Sequence, residues 1–173
     1  MEHLKFPIGP FAPKNSFSEQ EFQEIINIIQ NAPSKYRNLV QNLTEQELQK
    51  SYREGAWSIK QLVHHVADMQ MLHFTRLKMA ITDPENTELL LVKIDDWTKT
   101  YEANHGEIED SLKMFEGIHH RFAMLAAQLD DTILSKIMYH AGRKIHINLK
   151  QLLQMSAWHV EHHLAHINIA LGK

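Results

Sequence analysis

Four polar signals cut this chain into helical lengths and leave little room for a sheet. Ser18 is followed three residues later by Glu21, Thr44 by Glu47, and Ser58 by Gln61. In each pair the first side chain can accept the N–H of the third helical residue, and the second can answer at the cap, so each pair marks a helix start. Asn148 is a fourth good N-cap. The apolar-periodic stretches behind these signals predict a helix over about 19–43, with a break or kink before Pro33, and a short one opening at Thr44. Longer helices are expected over about 58–82, 107–129 and 148–171, stopped at Asp83-Pro84, Asp130-Asp131 and Gly172 respectively. No stretch shows strand-length alternation, so residues 50–56, 83–105 and 132–147 read as loops or irregular connections, with Gly142 in a turn. The expected fold is all-α: a four-helix bundle with one or two longer connections.

The N-terminal segment is different. Pro7, Pro10 and Pro13 with Gly9 argue against a helix over residues 1–17. They predict an extended arm, held to the body by Phe6, Ile8, Phe11 and Phe17. The domain division is therefore an arm, 1–17, and a metal-binding bundle, 18–173.

Composition narrows the function. There are 18 basic and 21 acidic side chains and a formal charge of −3, with no basic stripe, so nucleic acid is not an expected partner. No apolar run is long enough to span a bilayer, and the first residues lack the apolar core of a secretory signal. A cytoplasmic protein with no membrane partner is the expectation. The chain has no Cys, which excludes disulfides, thiolate metal ligands and cysteine nucleophiles. It has 13 histidines, and histidine is the commonest metal ligand.

Helical geometry selects among them. On the last helix Gln154, Glu161 and Asn168 recur every seven residues and define a wet face. Measured from Glu161 at about 100° per residue, His159 and His163 fall at roughly 160° and 200°, astride the inward direction. His162 and His166 fall further round the side, at about 100° and 140°. On the 58–82 helix Lys60 and Lys78 mark an exposed edge; His64 lies about 40° from it and His65 about 140°. His65 is thus the inward member and His64 a solvated one. One imidazole from this helix and an i, i+4 pair from the last would make a three-histidine site, the ligand count that leaves zinc a position for water. His73 and Arg76 also point inward, as an internal polar network or as a polar wall of a substrate pocket beside the metal. Asp68 can be a partner of His65 or a surface acid. Trp57 and Trp158 flank the ligand segments as core residues, and Asp95-Asp96-Trp97 reads as a solvated acidic loop.

These segments carry a resemblance. WSIKQLVHHVAD, from Trp57 to Asp68, looks like the first metal-ligand segment of the DinB-like superfamily, and WHVEHHLAHI, from Trp158 to Ile167, resembles the second. FPIG, from Phe6 to Gly9, and SYREG, from Ser51 to Gly55, are similar to the YfiT group within it, metal-dependent hydrolases related to bacillithiol transferases. The resemblance covers essentially the whole chain. It implies a four-helix bundle, a homodimer, and one divalent metal per chain held by His65, His159 and His163.

Three functions stay open at this point. The first is a metal-dependent hydrolase of a small-molecule substrate, with an open coordination position for water or substrate. The second is a metal-dependent S-transferase using a low-molecular-weight thiol of the bacillithiol type. The third is a non-catalytic helical module that the metal merely stabilises. Zinc is the default ion, and nickel also suits imidazole ligands. No catalytic acid or base stands out from the sequence.

Overall fold

Ser18, Thr44, Ser58 and Asn148 each form a complete capping box with the residue three positions on. The helices they open are α2 (Glu19–Val40), α3 (Glu45–Leu48), α4 (Ile59–Thr82) and α9 (Leu149–Ala170). The computed structural model describes residues 2–83 and 85–173, Glu2 by its backbone alone. The remaining helices are α1 (Glu2–Lys5), α5 (Ile94–Trp97), α6 (Tyr101–His105), α7 (Ile108–Ala126) and α8 (Asp131–Leu134). Among the described residues no helix is long and apolar enough to cross a membrane.

The four long helices, α2, α4, α7 and α9, make the bundle. α2 and α4 each pack against both α7 and α9, so these two, successive among the long helices, lie diagonally across it. This arrangement sets α4 beside α9. The apolar core falls into two clusters, one around Ile29, Leu77, Phe122 and Leu152, the other around Tyr36, Leu62, Phe115 and Val160. On α4 the change from one cluster to the other comes between Ala67 and Leu77, where Gln70, His73 and Arg76 are buried. A polar layer therefore interrupts the core at mid-bundle. Buried polar groups lower stability unless something answers them, which makes this layer the place to look for function.

Three expectations need correction. The arm is not free of helix: Glu2–Lys5 form one turn, ahead of the first proline, and a tight turn in which Gly9 donates to the Phe6 carbonyl precedes the extended path. Residues 137–148 are not irregular but a short antiparallel hairpin, β1 (Ile137–His140) with β2 (Ile145–Asn148), paired from Ile137↔Asn148 to His140↔Ile145. Each strand has four residues, too few for alternation to stand out. Finally, α2 runs on through Pro33 without a break. Proline has no N–H to give the carbonyl four residues back. That carbonyl, of Ile29, accepts instead from Nδ1 of His119 on α7.

The arm does lie against the body, along α9. Trp158 Nε1 donates to the Gly9 carbonyl (3.1 Å), Gln154 Nε2 to that of Ala12 (3.2 Å), and Gln151 Nε2 to that of Lys14 (2.9 Å). Gln154, which the helical repeat puts on the wet face, thus serves the arm.

Candidate metal centre

Because α4 and α9 are neighbours, their inward histidines meet. His65, His159 and His163 are all buried, and one ring nitrogen from each lies within 4.8 Å of the others, a geometry that could hold a metal ion. The Nε2 atoms of His65 and His159 are 3.1 Å apart. Burial pushes the His65 imidazole down to about 3, with His162 adding to the effect. Burial first, then mutual repulsion, holds His159 and His163 well below the usual histidine range. All three are therefore neutral at pH 7, the form in which imidazole binds metal. Three neutral nitrogen donors converging in a water-poor layer fit a divalent ion of the zinc or nickel type.

The surroundings hold these rings in place. His166 Nε2 donates to the Leu4 carbonyl (3.0 Å), so its Nδ1 is the acceptor facing His163 Nδ1 at 3.3 Å. His163 then carries its proton on Nδ1 and keeps Nε2 free for the shared centre. His159 Nδ1 lies 3.3 Å from the Gln70 amide, which Ser156 Oγ fixes by donating to Gln70 Oε1 (2.5 Å). The Trp57 ring packs 4.5 Å from that of His65 and 6.2 Å from that of His163. Tyr52 stacks on His166 at 3.8 Å.

His162, His163 and His166 also lie close enough together to hold an ion. In that group, however, His166 spends one nitrogen on Leu4 and the other on His163. It reads as a hydrogen-bonded relay behind His163, which is the member it shares with the first group.

Some sequence expectations fail locally. His64 is not solvated: it is 6% exposed, and its Nδ1 is 2.7 Å from Ser111 Oγ on α7. His162 and His166 do sit outside the three-nitrogen group, yet both are buried, because the arm covers that flank of α9; Phe6 packs at 6.0 Å from His162. Asp68 makes no hydrogen bond to His65, whose Nδ1 is buried without a partner. Gln70 and Ser156, which serve His159, belong to no sequence motif. Gln70, His73 and Arg76 form a three-residue polar spacing on α4, and that was the available signal.

Beside His159 opens a cavity of about 450 Å³, bounded by α4, the 91–95 connection, the hairpin and α9. His73 and Arg76 line it, as do His140 and Arg143 from the hairpin, where no sequence pattern pointed. Trp158 forms part of its wall, and Asp95 stands at it too, on the short helix α5 that takes the place of the expected acidic loop.

The model of the DinB superfamily matches residues 28–167. The chain belongs to this superfamily. Among its superfamily relatives, YfiT of Bacillus subtilis, provisionally named a metal-dependent hydrolase, is 30% identical over 95% of this chain and 92% of its own length. A relative from Oceanobacillus iheyensis with the same provisional description is 36% identical over 98% of this chain and 96% of its own. The solved structure of YfiT, described as having an unusual four-helix bundle topology, superposes with a TM-score of 0.92 over 97% of this chain and 95% of that one. A mycothiol-dependent maleylpyruvate isomerase shares the fold, with a TM-score of 0.68 and 17% identity over 84% of this chain and 60% of that one.

Proposed function

We propose that this protein is a metal-dependent hydrolase whose single divalent ion is held by His65, His159 and His163. The observation that carries the reading is the meeting of three buried, neutral imidazoles beside a cavity large enough for a small molecule. A closed structural site would have a fourth protein ligand. Among the described residues no further His, Asp or Glu joins this group, which favours an open position over a purely structural ion.

A divalent ion there would polarise a scissile carbonyl or phosphoryl group and bring the pKa of water towards neutrality. The chain's own residues supply the setting. His166 keeps His163 in the tautomer that presents Nε2. Gln70, held by Ser156, sets its amide against His159 Nδ1 and orients that ring. Trp57 walls the His65 side against water. The cavity beside His159 gives a substrate its approach.

The test combines metal content and turnover. About one divalent ion per chain should survive dialysis of the wild type, and His65→Ala, His159→Ala and His163→Ala should each lose most of it. A panel of esters and amides should be hydrolysed by the metal-loaded protein, stop with chelator, and resume on adding zinc or nickel. Turnover only when a low-molecular-weight thiol and an electrophile are supplied together would replace this reading with S-transfer. Full metal retention by the His159 variant would overturn the assigned centre.

A further inference from the structure

The cavity beside His159 has an unbalanced charge. Arg76 is 4% exposed, and its Nε donates to the Leu90 carbonyl at 2.8 Å. Among the described residues no carboxylate lies within 4 Å of its guanidinium, nor of that of Arg143, which faces the same cavity from the hairpin turn. A buried cation without a counter-ion is costly. The cost shows on Arg76, which burial, followed by the nearby Arg143, lowers to about 10.

A second observation points into the same space. His73 is 1% exposed, lines the cavity, and leaves both ring nitrogens without a hydrogen-bond partner. Buried polar atoms are rarely left so. The one acid at the cavity among the described residues, Asp95, is exposed and pairs with neither arginine. The rest of the wall is largely apolar, with Leu72, Leu91, Met155 and Trp158.

We propose that this cavity binds a small organic molecule through an oxyanionic head, carboxylate or phosphate, held by Arg76 and Arg143 with His73 beside it, and an apolar body against the aliphatic and indole wall. With Nε spent on Leu90, the two terminal nitrogens of Arg76 form the fork that grips an oxyanion side by side. His73 packs 5.9 Å from the His159 ring, and Arg76 follows one helical turn later, about 5 Å further along α4. The anion is therefore held on the α4 side of the cavity, beyond His159. As a substrate class this rests on the hydrolase reading; as a binding site it does not.

The test uses three probes of one shape: 4-phenylbutyrate, 3-phenylpropylphosphonate and the neutral 4-phenylbutyramide. Each is titrated by calorimetry into metal-loaded and chelator-treated protein. One or both anions should bind at least tenfold more tightly than the amide in both preparations, and the better anion distinguishes carboxylate from phosphate recognition. Arg76→Gln should remove that preference. Arg143→Gln, at an exposed turn, should weaken it severalfold and decides the matter if the Arg76 variant does not fold. Equal affinity for anions and amide, no anion binding at all, or a preference unmoved in folded variants would overturn the proposal. Anion preference in a protein that retains no metal would sink the hydrolase reading alone.

Discussion

An imidazole offers a metal one of its two nitrogens, so the proton on the other needs an acceptor that holds the ring in that tautomer. For His163 the acceptor is His166 Nδ1, itself set by the Leu4 carbonyl. His166→Ala should therefore lower metal affinity about 10–100-fold without abolishing binding. His64→Ala, whose ring answers Ser111, should leave it unchanged. Competition with a chromophoric chelator measures both, and equal affinities would refute the relay. That the three histidines converge was legible from the Gln154–Glu161–Asn168 repeat, which marks the outer edge of α9, and from Lys78 on α4; Lys60 was a false marker, since it is buried against Glu45, and it is the reason His64 was read as solvated. The burial of His166 was not legible. The cover comes from residues some 160 positions away, and a wheel drawn on one helix cannot see it.

At the scale of the helices, Pro33 and His119 form one device. The proline strips Ile29 of its intrahelical donor, and a buried histidine from α7 supplies the missing hydrogen bond. His119→Leu should destabilise the wild type by about 1–3 kcal/mol, the cost of a buried carbonyl left unanswered. In a Pro33→Ala background the backbone N–H returns, and the same substitution should cost clearly less. Denaturant unfolding of the four proteins in the double-mutant cycle gives the coupling, and strict additivity would disprove it. The capping boxes made the helix starts readable to the residue. The helical repeat carried α2 past its proline but could not show that the helix does so without a break, because the remedy lies on another element. Nor could it reveal the β1–β2 hairpin, whose four-residue strands fall below the length at which a period shows.

Across the whole molecule, many imidazoles are kept neutral by burial, and this sets how the fold responds to acid. An unfolded histidine takes up its proton near pH 6.5. In the fold, burial lowers His119 to about 4, a backbone carbonyl partly opposing it, and lowers His65 to about 3. Between those values and 6.5 the unfolded chain binds more protons than the folded one, so stability is complete above about pH 6.5 and is lost as the pH falls towards 4. His119 alone contributes on the order of 3 kcal/mol to this slope. Melting temperature should fall steadily from pH 7 to pH 4, and a flat profile over that interval would contradict the burial. The bundle itself was readable from helix number and length, but the diagonal placement of α2 and α4 was not, since chain order does not say which helices touch. That placement is what brings α9, and with it the histidine pair, to His65. Trp57 packs directly on two of the three rings, which gives the protein a built-in optical reporter. An open-shell ion such as nickel would drain the excited indole at that range and darken its emission, whereas closed-shell zinc would leave it bright, so a drop in intrinsic fluorescence on loading, over the background of Trp97 and Trp158, separates the two kinds of ion without a label.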